Sequence, residues 1–116
     1  MKTILVCDSK NYMSRFLKFK FRFDYNFIKY SKSRFIKDLR TQNIALIIFV
    51  VYEDLDLIYL FDMLSTDRPL IVASENISLL NLLCGNLDLI TVDLNRIKTD
   101  VYDEFETKIT LLLKDY

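Results

Sequence analysis

Side chains able to do chemistry are few in this sequence, and most of them follow apolar runs. Histidine is absent, and the two cysteines, Cys7 and Cys84, lie far apart with no CxxC spacing. Zinc sites of the usual Cys/His type are therefore excluded, as is any mechanism that needs a histidine base. Both thiols read as reduced core residues of a cytoplasmic protein. What remains is acidic or hydroxylic: Asp8 and Ser9, Glu53 and Asp54, Ser74 and Glu75, and Asp93, each at the end of an apolar run. Carboxylates gathered in this way can hold a divalent cation through oxygen ligands. Asp8, Glu53, Asp54 and Asp93 are the candidates for such an improvised cation site, and Glu75 can join them. The competing reading is a solvated acidic rim. No Gly-rich loop is present to let a backbone approach nucleotide or flavin phosphates, and no cofactor is expected.

The elements that must position these groups alternate along the chain. Ile4 to Cys7, Phe27 to Tyr30, Ile44 to Val51, Leu70 to Ala73 and Leu89 to Val92 are short, continuous apolar runs. Such runs suit strands covered on both faces. Between them lie helical patterns. Ser9 can cap a helix to about Phe21, with Met13, Phe16, Leu17, Lys20 and Phe21 on one stripe. Ser33 can cap a second over Arg34 to Arg40. Asp54 opens a third to Leu64, with Leu57, Ile58, Phe61 and Leu64 inward. Asn76 opens a fourth over Ile77 to Cys84, stopped by Gly85. Asn95 opens a fifth, with Ile97, Val101, Phe105, Ile109 and Leu112 inward. Leu17 to Phe23 alternates strictly, the period of a half-buried strand. A strand there leaves too few residues for a helical crossover from the first strand, so the helix is preferred.

This βα alternation predicts an α/β fold with a parallel sheet, and right-handed crossovers leave few strand orders open; the one preferred is a flavodoxin-like (βα)5 doubly wound, five-stranded sheet in the order 2-1-3-4-5. One hundred and sixteen residues, 52% hydrophobic with a single Gly and a single Pro, are expected to form one domain over residues 1–116 with short connections and no output domain. The longest apolar run, Ile44 to Tyr52, is too short to span a bilayer. No membrane association is expected. Ligands of such sheets bind beyond the carboxyl ends of the strands, where the acidic residues fall.

At those ends the sequence resembles a family. Ile4-Leu5-Val6-Cys7-Asp8-Ser9 looks like the strand and acidic pair that open a response-regulator receiver domain (CheY-like). Pro69-Leu70-Ile71-Val72-Ala73-Ser74 is similar to its fourth strand with a terminal hydroxyl, and Gly85 to Val92 to its fifth-strand approach. The resemblance implies a phosphoacceptor Asp at the end of the third strand, Mg²⁺ held by that Asp and an acidic pair, and a Lys and a Ser/Thr on the phosphoryl oxygens. Carried over, Asp8 matches the first acidic position and Ser74 the hydroxyl. Ser9 stands at the second acidic position, Val50 at the phosphoacceptor and Val92 at the lysine, with Asp93 after it. A valine cannot form an acyl phosphate, and without the lysine nothing balances the phosphoryl charge. The resemblance therefore implies a degenerate pseudo-receiver in a two-component signalling context, without enzymatic activity. Asp8 is either a remnant of the acidic pocket or a cap for the first helix, and Ser74 reads as a turn residue.

The formal net charge of zero conceals a division. Residues 1–40 carry eleven Lys/Arg against three acids, a net of +8, and residues 53–116 carry five bases against thirteen acids, a net of −8. In the expected fold the basic first helix lies beside the acidic fifth, so the charges can cancel within a monomer. A polar surface for a protein partner or self-association is the second reading. Nucleic acid, through the basic and aromatic first third, is the least favoured. Apolar residues also exceed the core stripes: Tyr12, Phe19 and Phe23; Leu79, Leu80, Leu82 and Leu83; Tyr102, Leu111, Leu113 and Tyr116. By resemblance, the fourth helix, fifth strand and fifth helix are expected to form a homodimer face through Leu79, Leu80, Leu83, Tyr102 and Leu113. The sequence thus points to a stand-alone protein-interaction module independent of phosphorylation, with a cation- or ligand-binding flavodoxin-like domain as the alternative.

Overall fold

A computed structural model describes residues 1–30, 43–87 and 89–114. Strands β1 (Thr3–Cys7), β2 (Asn26–Lys29), β3 (Ile44–Val51), β4 (Leu70–Ser74) and β5 (Ile90–Asp93) form one sheet in the order β2-β1-β3-β4-β5, every pairing parallel. Helices α1 (Tyr12–Lys20), α2 (Asp56–Leu64), α3 (Ile77–Leu87) and α4 (Lys98–Leu113) connect or follow the strands. The architecture is the flavodoxin-like arrangement that the sequence predicts. The helix expected over Arg34 to Arg40 lies outside the described residues, as does Tyr116. The fourth and fifth predicted helices correspond to α3 and α4. No helix among the described residues is long and apolar enough to cross a membrane.

Alternation along the strands divides the core in two. Ile4, Val6, Leu46, Ile48, Val50, Ile71, Ala73 and Val92 point to one face, covered by Leu17 and Phe21 from α1 and by Val101, Phe105 and Ile109 from α4. Leu5, Cys7, Ile47, Phe49, Val51, Leu70 and Val72 point to the other, covered by Leu60 and Met63 of α2 and Leu80 and Leu83 of α3. Both faces being buried explains why the strands read as unbroken apolar runs. The β1–β3 register shifts between Thr3 and Ile4, which pair with Ile44 and Leu46.

The alternating stretch resolves as a helix to Lys20 followed by a turn over residues 21–24. Phe21 is buried and stacks on Tyr102 with ring centroids 4.9 Å apart. Phe19 and Phe23 stay exposed.

Five local expectations are corrected. On α2 the inward residues are Leu60 and Met63, with Leu57 and Leu64 flanking, while Ile58 and Phe61 face solvent. Leu, Ile, Phe and Met occupy nearly the whole helix, so the apolar pattern alone leaves its rotation open. Gly85 does not stop α3, which continues to Leu87, and its φ is not positive. Cys7 is buried as expected, but Cys84 is exposed, because it follows the inward Leu83 by one position on the same helix. Ile97 is exposed, because the last residue before α4 is extended and turned away from the sheet. Ser9 makes no cap; the residue before α1 is Asn11, in the left-handed region at φ 63°.

Candidate functional site

The carboxyl ends of the strands converge on Asp8. Leaving β1, the chain buries this side chain to 5% exposure and turns back into α1. One carboxylate oxygen, Oδ1, accepts the backbone N–H groups of Lys10 (3.2 Å) and Asn11 (3.1 Å), and Oδ2 accepts that of Ser14 (2.9 Å). Ser14 N–H is one of the donors that a helix start leaves without an intrahelical partner. Asn11, the residue that would normally satisfy it, makes no side-chain cap. A carboxylate here also opposes the positive end of the helix. Of the two readings of Asp8, the contacts are those of a cap, supplied from six residues upstream.

Sequence reasoning missed the fourth partner. The hydroxyl of Tyr52, the residue after β3, donates to Asp8 Oδ1 at 2.5 Å. Burial first, then this hydrogen bond and the Asp8 charge, push the phenol's pKa well above its usual value. Tyr12 packs edge-on against the Tyr52 ring, with centroids 6.3 Å apart, and Lys10 Nζ lies 5.0 Å from the ring centre. The backbone N–H of Tyr52 is taken by Asp56 Oδ2 at 2.9 Å, which ties the ring's position to the start of α2. Tyr52 closes an apolar run in the sequence, the one signal available, but its partner is 44 residues away.

The remaining candidates are placed separately. Val50 and Val92, which the resemblance matches to a phosphoacceptor and a lysine, are both core side chains on the α1/α4 face, 1% and 0% exposed. Ser9 is exposed. The Ser74 hydroxyl donates to the Val51 carbonyl at 2.9 Å and accepts the Asn76 N–H at 3.1 Å, the work of a turn residue between β4 and α3. Asp93 holds the next turn, accepting the Asn95 N–H at 2.8 Å. Glu53 and Asp54 are exposed. Among the described residues no three Asp, Glu or Cys side chains assemble around a point that could hold a metal ion, so the cation constellation is not formed. Asp8 is withdrawn into its cap, and Asp93 into its own turn.

Hollows among the described residues adjoin this rim. One of about 330 Å³ lies between Lys10, Tyr52, Ser74, Glu75, Asn76 and Leu94, where the resemblance places a phosphorylation pocket; its formal charges are one ammonium and one carboxylate. Another, of about 250 Å³, separates α1 from the start of α4. A third, of about 370 Å³, opens at the switch point between β1 and β3. It is lined by Cys7, Asp8, Lys29, Tyr30, Phe49 and Tyr59, among others. Burial pushes the Cys7 thiol pKa up, which favours the protonated form.

The expected dimer face is corrected in part. Leu80 and Leu83 are core residues, because α3 lays that ridge on Leu70 and Val72. Leu79, Tyr102 and Leu113 are partly buried against the two cores. Leu82 and Leu111 are the exposed apolar residues of these helices, with Ile77 and Leu87 at the ends of α3. Comparison with known protein families, curated proteins and solved structures finds no match to this chain.

Proposed function

We propose that this chain is a degenerate receiver-like domain acting as a protein-interaction module that needs no phosphorylation and catalyses no reaction. One observation carries the reading: the strand-end carboxylate, Asp8, is consumed by three backbone donors and a phenol, while the neighbouring functional positions are the core valines Val50 and Val92. Such a site has no carboxylate at the position matched to the phosphoacceptor to attack a phosphoryl group and no cation at the one matched to the lysine to stabilise it. It retains the receiver-like scaffold, and a scaffold without a reaction acts through its surfaces. The test is incubation of the chain with Mg²⁺ and acetyl phosphate, read by intact-mass spectrometry. The unmodified mass is expected; stoichiometric phosphorylation of any Asp overturns the reading.

A second reading rests on the hollow at the β1/β3 switch point, the usual ligand crevice of such sheets. Its volume of about 370 Å³ suits a small molecule, held between the Phe49 ring and polar groups of Lys29, Tyr30 and Tyr59. A small-molecule thermal-shift screen distinguishes the two: a hit lost in Phe49→Ala and kept in Phe19→Ala favours this one.

A further inference from the structure

Charge on the α1/α4 layer is arranged in two stripes that face the same way. On α1 and the turn that continues it, Arg15, Lys18 and Arg22 are exposed on the side away from the buried Leu17 and Phe21. On α4, Asp100, Asp103 and Glu106 are exposed on the side away from Val101, Phe105 and Ile109. Each set recurs every three or four residues, the spacing of one helix face. The helices are neighbours: Phe21 stacks on Tyr102, and Lys20 Nζ lies 5.9 Å from the Tyr102 ring centre. That aromatic seam fills the space between the stripes.

Of the cancellation expected within the monomer, the part between α1 and α4 is not made by ion pairs among the described residues; the basic helix expected over Arg34 to Arg40 lies outside them. The ion pairs of α4 and its preceding turn, Arg96–Asp93, Arg96–Glu104 and Lys108–Glu104, all lie within the acidic half. Among the described residues, no cation of α1 is bridged to a carboxylate of α4. Arg22 instead lies 4.7 Å from the ring centres of both Phe19 and Phe23, and donates to the Phe19 carbonyl. Tyr12, Phe19 and Phe23, 67%, 62% and 80% exposed, extend the basic stripe with apolar surface. Exposed aromatic and arginine side chains are the groups that dominate interface energetics once desolvated.

We infer that the α1/α4 layer is a homodimer surface, in which the basic stripe of each copy lies on the acidic stripe of the other. Both helices return from the carboxyl ends of parallel strands, so they run in the same direction. A two-fold axis parallel to them, passing between the stripes, sets positive on negative twice and repeats the contact symmetrically, as an isologous interface requires. Such complementarity selects its partner and register, and the aromatics supply the buried apolar area. A single-stranded nucleic acid is the competing occupant, but it would lie beside the Asp100, Asp103 and Glu106 carboxylates, which repel phosphate. The dimer rests on the interaction-module reading, supplies its partner, and uses a surface distinct from the strand ends. A monomer that also fails to take up phosphate would overturn the dimer and leave the proposed function standing.

Sedimentation velocity of the full chain, from micromolar to hundreds of micromolar, is expected to show a dimer that weakens as salt rises. Two charge-reversed chains, Arg15→Glu/Arg22→Glu and Asp103→Lys/Glu106→Lys, should each lose at least about tenfold in self-association. Mixed together, they should re-form a dimer at low salt, since each then presents what the other lacks. Circular dichroism checks that both chains fold; if one does not, Arg15→Gln/Arg22→Gln and Asp103→Asn/Glu106→Gln replace them. A wild-type monomer throughout, a dimer indifferent to either substitution, or no recovery on mixing would sink the proposal. So would tight, salt-sensitive binding of a single-stranded oligonucleotide by a monomer that Arg15→Glu/Arg22→Glu abolishes.

Discussion

Tyr52 donates its phenolic hydrogen to Asp8 Oδ1 at 2.5 Å, joining the end of β3 to the carboxylate that starts α1. The two residues directly follow the adjacent strands β1 and β3, so the bond crosses the switch point of the sheet, where a ligand would otherwise enter. A catalytic carboxylate is held ready for a reacting partner. This one is fully engaged in holding the fold.

Replacing Asp8 by Ala orphans the N–H groups of Lys10, Asn11 and Ser14 together with the Tyr52 hydroxyl. The expected cost is about 2–4 kcal/mol of unfolding free energy, measured by urea denaturation. A leftover functional carboxylate behaves oppositely, because removing one commonly stabilises a scaffold. An unchanged or raised midpoint would therefore restore the pocket reading.

Tyr52→Phe keeps the ring packing and removes the hydroxyl, at a cost of about 1.5 kcal/mol at neutral pH. The phenol's folded pKa lies above its ordinary value of 10.0. The native state therefore holds its proton more tightly than the unfolded chain does. The stabilisation is complete below that ordinary value and drains away as pH climbs through it toward the folded one. The stability gap between wild type and Tyr52→Phe should thus shrink in alkaline buffer, and a constant gap across that range would falsify the linkage.

Val92→Lys, which places a lysine where the resemblance matches one, is not expected to create a phosphorylation site. The side chain it replaces is wholly buried with Ile71, Ala73 and Phe105 on the α1/α4 face. Placing an ammonium there without a partner is expected to cost more than about 3 kcal/mol, read as a fall in melting temperature or loss of the folded state. A stable Val92→Lys chain that also accepts phosphate from acetyl phosphate would contradict a strand-end site that serves only to hold the fold.

Much of the fold was legible in the sequence, and the parts that were not have physical causes. Continuous apolar runs located all five strands, and β3 matches Ile44 to Val51 end to end, because strands covered on both faces need no alternation. The handedness of parallel connections left few orders open, and the flavodoxin-like one chosen among them is the one observed. The rotation of α2 was not legible, since Ile58 and Phe61 are as apolar as the Leu60 and Met63 that the sheet buries. The Asp8–Tyr52 bond was not legible either: it depends on a tertiary contact that no local spacing encodes. Asp8 itself was visible as a strand-end acid, but only its partners decide between a cap and a pocket.

A glycine near a helix end reads as a stop, yet Gly85 is an exposed interior residue of α3 with ordinary helical φ, and a Cβ built on it meets nothing within 4 Å. Gly85→Ala should raise stability by about 0.5–1 kcal/mol by removing backbone freedom from the unfolded chain. A loss on substitution, in thermal or chemical denaturation, would show that the helix breaks at that point.

The position of α4 in the chain bears on how the protein is made. Val101, Phe105 and Ile109 cover Ile4, Val6, Leu46, Ile48 and Val50, residues of the two strands at the middle of the sheet that are synthesised long before them. Until α4 leaves the ribosome, only α1, with Leu17 and Phe21, covers that apolar face of the nascent chain. The sheet centre therefore stays half open on that face until α4 follows β4 and β5, and apolar surface exposed in that interval is where a growing chain sticks to its neighbours.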